Sequence, residues 1–354
     1  MKLVEQRTAC AQVGSGARMH AANVASPVSG LAQLRAWAGL ACAAFLVVLH
    51  AGAATAASET PPMMLQQVAP NTYYVQGLAA LGSTKNQNFI SNSGFVIAPK
   101  GVVVVDALGS PALAQRLMDQ IKTITDKPIT HVIVTHYHAD HIYGLQAFKA
   151  AGAVIIGQER AREYIYSETA KLRLEASRTD LAPWIDDNTR IEPADQWITG
   201  STTMELAGAT FQLDLVGPAH TPEDLAVWVP SEQVLFSGDL IFNGRLPFVG
   251  KANSGHWIVA LDQMLQYPAK AVVPGHGKAS ADPQKDIILV RDYLKYLRKT
   301  MGEAANNLVP FEEAYDDVDW ARFAPVPMFK FANRMNAYNT YLLMEQEALK
   351  GIKE

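Results

Sequence analysis

The sequence is poor in cysteine. Only Cys10 and Cys42 occur in 354 residues, and both precede residue 57. We predict that this leading segment is removed, which leaves a mature chain without any thiol. Such a chain forms no disulfide in any redox compartment, and it offers no thiolate to a metal. A metal site would therefore have to be built from imidazole and carboxylate groups.

An excess of charge of either sign is also absent. The chain has 30 basic and 34 acidic residues, for a net charge of -4. Proteins that bind nucleic acids usually present a basic face, so we predict no nucleic-acid partner and expect a small-molecule substrate instead. The hydrophobic share of 49% suits one large globular domain with additions.

The leader has the features of an export signal. Residues 1–35 are rich in Ala, Ser and Gly, and residues 36–57 are apolar and end with Ala54-Thr55-Ala56, a small-x-small cleavage pattern. The apolar core is short for a membrane span, which favours a cleaved signal peptide over an uncleaved anchor. No paired arginine precedes it, so a twin-arginine route is not indicated. We expect a periplasmic or secreted protein with no membrane contact after cleavage.

One dense motif stands out in the mature chain. Residues 135–141 read Thr-His-Tyr-His-Ala-Asp-His, after a β-branched run at 130–135 and before apolar residues with helical spacing at 142–151. This pattern predicts a loop between a strand and a helix, where catalytic groups of α/β folds collect. Three imidazoles and one carboxylate within six residues are typical of a metal site.

Three further candidate ligands follow apolar, strand-like runs. They are His220, Asp239 and His276, after runs at 211–216, 233–236 and 271–273. A single histidine at a strand end is usually structural, but four strand ends that each deliver such groups indicate one shared centre. Ligands of this kind without a thiol suit Zn²⁺, and Fe or Mn is less favoured.

The pattern His-x-His-x-Asp-His, followed by isolated His, Asp and His at strand ends, resembles the metallo-β-lactamase superfamily over about residues 66–280. The resemblance implies an α/β fold, namely an αββα sandwich with the metals at one edge and with extra C-terminal helices. We expect a disordered leader and signal peptide at 1–57, the αββα domain at 58–280, and a C-terminal helical extension packed on the core at 281–354.

The resemblance also assigns roles to the seven residues. It implies that His136, His138 and His220 hold the first of two Zn²⁺ ions. It implies that Asp140, His141 and His276 hold the second. Asp239 matches the carboxylate that bridges both metals in glyoxalase-II-like branches, whereas true β-lactamases of the superfamily usually have Cys or Ser there.

These roles, together with the export signal, imply a secreted dinuclear zinc hydrolase. A metal-bridged hydroxide would attack an ester, thioester, lactone or amide, while Asp140 orients the hydroxide and shuttles its proton. Weak β-lactam hydrolysis is compatible with this chemistry. Two alternatives stay open: an iron-dependent sulfur or redox enzyme on the same fold, and a non-catalytic periplasmic metal-binding accessory protein. The complete ligand set and the lack of a flavin domain favour the hydrolase.

Other polar residues are candidates for supporting roles. Arg245 and Lys251, shortly after Asp239, are candidates for binding an anionic substrate, although ordinary surface charge explains them as well. His256 is a candidate for lining the cleft or for packing at a helix start. We expect Asp106 and Thr135 to contact ligand imidazoles, and we expect His131 to be structural.

Overall fold

The computed structural model describes residues 61–351, and the predicted leader and signal peptide lie outside this range. Its first sheet pairs strands in their order along the chain. They are β1 Leu65–Ala69, β2 Thr72–Val75, β3 Ser93–Ala98, β4 Gly101–Val105, β5 Ile129–Ile133, β6 Val154–Gln158 and β7 Gln196–Ile198. The β1–β4 pairs are antiparallel, and the β4–β7 pairs are parallel.

The second sheet has the order β12-β11-β10-β9-β8. Its strands are β8 Thr202–Leu206, β9 Ala209–Leu215, β10 Leu225–Val229, β11 Val234–Phe242 and β12 Ala271–His276. Only the β11–β12 pair is parallel among these described strands. The candidate ligands Asp239 and His276 therefore lie on two neighbouring strands of one sheet.

Helices follow the parallel strands and complete the C-terminal part. They are α1 Pro111–Lys122, α2 Ala139–Ile142, α3 Leu145–Ala150, α4 Ala161–Ile165, α5 Glu168–Asp180, α6 Ser254–Met264, α7 Pro283–Asn306, α8 Phe311–Asp316 and α9 Phe329–Gly351. Ser110 caps α1 by accepting from the Leu113 N–H, with Pro111 in the first helical turn. Within residues 61–351, no helix is both long and apolar enough to cross a membrane.

Side chains alternate between the two faces of each strand, so that both sheets pack against each other on one face and against helices on the other, in four layers. In β4, Val102 and Val104 pack with α1 residues such as Leu113, whereas Val103 and Val105 face the second sheet. This follows from the two-residue period of a strand, which sends successive side chains to opposite faces. The other face of the second sheet packs against α6, α7 and α9. The prediction of an αββα sandwich with extra C-terminal helices is confirmed.

One local boundary differs from the sequence prediction. Helix α2 begins at Ala139, inside the histidine motif, rather than after it. Between β6 and β7 the chain forms two helices, α4 and α5, and β7 itself has only three residues, too few to show a period.

Candidate metal centre

The fold gathers the seven candidate ligands, which we call the metal-ligand cluster. Their nitrogen and oxygen atoms fall into two groups, and within each group the atoms lie within 4.8 Å of one another. The first group is His136, His138, His220 and Asp239, and the second is Asp140, His141 and His276. The grouping matches the two predicted sites.

Asp239 lies between the two groups. Its Oδ1 is 3.1 Å from His141 Nε2 and 3.3 Å from His276 Nε2. Its Oδ2 is 3.4 Å from His220 Nε2 and 3.7 Å from His136 Nε2. Each carboxylate oxygen therefore faces a different set of imidazoles, which is the arrangement that a bridging ligand requires.

The spacing and chemistry of these atoms fit zinc. Ligand atoms about 2.1 Å from a tetrahedral ion lie about 3.4 Å from one another, close to the distances around Asp239. In addition, His138 Nδ1 and His220 Nε2 approach to 3.0 Å with perpendicular rings. His136 Nε2, His141 Nε2 and Asp239 Oδ1 are buried without a hydrogen-bond partner in the described part of the chain. Buried polar atoms are rarely left unpaired, so a cation is the natural partner.

Contacts behind the cluster fix two ring orientations. His141 Nδ1 lies 2.9 Å from Asp106 Oδ2, and His276 Nδ1 lies 2.6 Å from the Ile90 carbonyl. Donation from Nδ1 to these oxygens directs the Nε2 lone pairs toward Asp239. Asp106 also accepts from the Thr135 N–H at 2.8 Å and from its hydroxyl. The expected contact between Asp106 and a ligand imidazole is thus confirmed.

Electrostatics favour the metal-binding protonation states of His136, His138 and Asp239. Burial, assisted by His220, lowers the pKa of His138 to about 3. Burial also lowers the pKa of His136, so both rings are neutral at neutral pH and offer lone pairs. For Asp239, burial raises the pKa, but the imidazoles of His276 and the neighbouring ligands outweigh it, and the net pKa is well below the usual range. This carboxylate is ionised, as a bridging ligand must be.

For His141 and His276, burial lowers the pKa, but the carboxylates of Asp239 and Asp140 outweigh it and the net pKa is raised. Metal binding would therefore displace a proton there.

Two glycines allow the close approach of β5, β11 and β12. A Cβ on Gly275 would overlap Asp239 Oδ1. Gly238 has φ +50°, and a Cβ there would lie 2.6 Å from Thr135 Oγ1. Larger residues at either position would displace strand ends that carry ligands.

Some supporting residues were not predicted from the sequence. The Asn92 amide donates to the carbonyls of Pro274 and Gly277 at 2.8 and 2.7 Å, on either side of His276. The Ser91 hydroxyl donates to the Asp140 carbonyl. These residues lie in a short polar run before β3, and no local spacing indicates which strand end they contact.

Among the residues that the sequence suggested for substrate contact, Arg245 lies beside the metal-ligand cluster. It is 7% exposed, its Nη1 lies 3.5 Å from His276 Nδ1, and its Nε has no partner in the described part of the chain. Lys251 and His256 are exposed and belong to neither ligand group. His131 is half-buried beside Thr130 Oγ1 and also lies outside both groups.

A sandwich of two mixed sheets with converging histidines and aspartates at the strand ends defines a metallohydrolase class. A family model described as the metallo-beta-lactamase superfamily matches residues 87–276. The chain therefore belongs to the metallo-beta-lactamase superfamily.

Similar proteins include enzymes of two kinds. A linear primary-alkylsulfatase from Pseudomonas sp. (strain ATCC 19151) is 26% identical over 252 residues, which covers 61% of this chain and 47% of that protein. A metallo-beta-lactamase type 2 from Bacillus sp. (strain 170) is 24% identical over 227 residues, which covers 62% of this chain and 79% of that protein. The chain spans about half the length of the alkylsulfatase.

Solved structures show the same fold. The sec-alkylsulfatase Pisa1 from Pseudomonas sp. aligns with a TM-score of 0.63 at 18% identity, over 79% of this chain and 50% of that one. The metallo-beta-lactamase from Pontibacter korlensis aligns with a TM-score of 0.52 at 22% identity, over 66% of this chain and 99% of that one.

Proposed function

We propose that the protein is a secreted or periplasmic hydrolase that holds two Zn²⁺ ions and cleaves an anionic ester. Thioesters, lactones and amides are further candidate substrates, because their hydrolysis follows related chemistry. The main support for this proposal is the position of Asp239, whose two oxygens face two separate sets of imidazoles. A single-metal site or a simple storage site has no need of such a carboxylate.

Each ligand group has a defined task in this proposal. His136, His138 and His220 hold the first ion, and Asp140, His141 and His276 hold the second. Two such ions supply a nucleophilic water at neutral pH and polarise the substrate oxygen. The five histidines stay neutral, and the two carboxylates offset only part of the metal charge. The centre therefore keeps a positive charge that attracts an anionic group.

Asp140 is the carboxylate best placed to orient the nucleophile and accept its proton. Its side chain is 17% exposed, against 5% for Asp239, so it is open to the cleft. Oδ2 of Asp140 lies 3.3 Å from His276 Nε2, which keeps one oxygen in the second group. The carboxylate can turn its other oxygen to the cleft without leaving the group.

Arg245 supports an anionic substrate. Its guanidinium is buried beside His276, and no carboxylate of the described residues forms an ion pair with it. A buried cation without a direct ion-pair partner is costly, and a bound anion would offset that cost. The name of the alkylsulfatase relative indicates a sulfate ester, which is anionic, so alkyl sulfates are the first substrate class to test. Exposed Lys251 and His256 are weaker candidates for substrate contact.

The test is a metal analysis combined with a substrate screen. We expect about two zinc equivalents per chain purified without added metal, and turnover of at least one member of a panel of alkyl sulfates, carboxyl esters, thioesters and lactones. A β-lactam belongs in the panel, because β-lactamase relatives support a weak side activity. Iron as the sole metal would favour the redox alternative. Two bound zinc ions without any turnover would favour the accessory-protein alternative.

A further inference from the structure

The loop that carries Arg245 is bonded to the C-terminal helix. Residues 243–250 connect β11, which contains Asp239, to the region before α6. The Leu246 N–H donates to the Pro327 carbonyl at 2.9 Å. Asn336, in α9, accepts from the Val249 N–H at 2.8 Å and donates to the Pro247 carbonyl at 2.7 Å. The backbone groups of Leu246, Pro247 and Val249 therefore form hydrogen bonds with residues about eighty to ninety positions later in the chain.

Asn336 is itself fixed in place. It is 0% exposed, and its amide also donates to the Tyr293 hydroxyl at 3.1 Å. That hydroxyl donates to Asn333 Oδ1 at 2.9 Å, and Asn333 donates to the Tyr315 hydroxyl at 3.1 Å. We call these four residues, Tyr293, Tyr315, Asn333 and Asn336, the amide network. Only Asn336 of the network bonds the Arg245 loop.

We infer that Asn336 is a positioning residue that holds the Arg245 loop against the metal-ligand cluster, and so sets the place of the substrate's anionic group. This inference rests on the proposed function for the role of Arg245, but the loop contact is independent of it. Residues 327 and 336 lie beyond residue 276, where the match to the family ends. The C-terminal extension thus contributes to the site without contributing a ligand.

Asn333 provides a matched control. It is equally buried in the same helix and shares the Tyr293 hydroxyl, but it makes no bond to residues 243–250. Asn336→Ala and Asn333→Ala should therefore destabilise the protein to a similar degree. Only the first should release the loop.

The experiment compares the full zinc-loaded proteins in two measurements. Hydrogen exchange of the peptide spanning 244–251 should be about tenfold faster in Asn336→Ala than in Asn333→Ala. With the anionic ester that the parent hydrolyses, KM should rise about tenfold in Asn336→Ala, with kcat and zinc content little changed. If Asn336→Ala does not fold, Asn336→Leu replaces it, because an apolar side chain of similar size fills the same space and makes neither bond to the loop.

The outcomes separate this inference from the proposed function. A parent that hydrolyses no anionic ester refutes the substrate assignment, and the exchange comparison still decides whether Asn336 holds the loop. Equal exchange at 244–251 in the two variants would overturn the inference. A fall in kcat or zinc content with KM unchanged would overturn it too, because Asn336 would then act on the metal centre rather than on anion placement.

Discussion

The protein contains two clusters of buried polar side chains that are built in opposite ways. In the amide network, donors meet acceptors, as where the Tyr293 hydroxyl donates to Asn333 and accepts from Asn336. Burial raises the pKa of Tyr293, so the phenol stays protonated and able to donate. In the metal-ligand cluster, imidazoles and carboxylates converge without completing such a network, and His136 Nε2, His141 Nε2 and Asp239 Oδ1 have no hydrogen-bond partner in the described part of the chain.

This difference distinguishes a structural cluster from a binding cluster. Converging lone pairs repel one another unless a proton or a cation lies between them, whereas a completed hydrogen-bond network needs no further partner. Most members of both clusters are buried, so burial alone does not reveal which one binds a ligand. Substitutions that break one cluster and spare the other test this interpretation.

The largest expected effect comes from Asp239→Ala. The variant loses the carboxylate between the two imidazole sets, and with it the negative charge between two cations. We expect zinc content to fall, with the second group emptying first, and the hydrolytic rate to fall by about 100-fold or more. Zinc stoichiometry and turnover of the folded variant measure this. Retention of both ions and near-parental turnover would show that Asp239 merely shapes the turn after its strand.

A smaller effect is expected from Asp106→Asn. Asp106 has φ +62°, a region that Asn tolerates, so the backbone should be unchanged. The variant keeps a polar partner for His141 but removes the charge that raises the basicity of this ring. We expect a loss of roughly 10–100-fold in metal affinity or activity. Asp119→Asn, an exposed carboxylate on α1, serves as the control. Equal zinc affinity in both variants would contradict this role.

The sequence was sufficient to predict the layered fold and the convergence of the seven residues in the metal-ligand cluster, for a physical reason. Each ligand directly follows a strand-like run, and the carboxyl ends of parallel strands meet at one edge, so local patterns imply a shared site. Asp106 was predictable on the same ground, because it directly follows the Val-rich strand β4. Most residues in and directly behind the metal-ligand cluster can therefore be recognised from local sequence patterns.

Residues that act over a long sequence separation were not predictable. Asn92 reaches carbonyls about 180 positions away, and Asn336 reaches a loop almost ninety positions earlier. An isolated asparagine has no period or spacing that reveals its partner. Similarly, the burial of Arg245 depends on how the 243–250 loop folds over Phe242 and His276, and its sequence context is equally consistent with surface charge.

The amide network should respond in stability rather than in metal binding. Asn333→Ala removes the acceptor of the buried Tyr293 hydroxyl and the donor to the Tyr315 hydroxyl. We expect the free energy of unfolding to fall by about 1–3 kcal/mol, with zinc content and turnover per folded molecule unchanged. Chemical denaturation of the zinc-loaded variant gives the first quantity, and metal analysis gives the second. A loss of zinc would mean that the two clusters are energetically coupled.

The smallest effect is expected at a third kind of polar contact, which is partly exposed. Arg298 Nη2 lies 2.7 Å from Glu347 Oε2, joining α7 to α9, with side chains 22% and 37% exposed. Arg298 also donates to Ser254 Oγ at the start of α6. Water can replace either partner here, so Glu347→Gln should cost about 0.2–1 kcal/mol, less than Asn333→Ala.

The effect of Glu347→Gln should shrink in high salt because screening weakens the charge pair but not the buried network. Denaturation of both variants at low and high salt checks this. A salt-independent loss as large as that of Asn333→Ala would place Glu347 with the structural cluster.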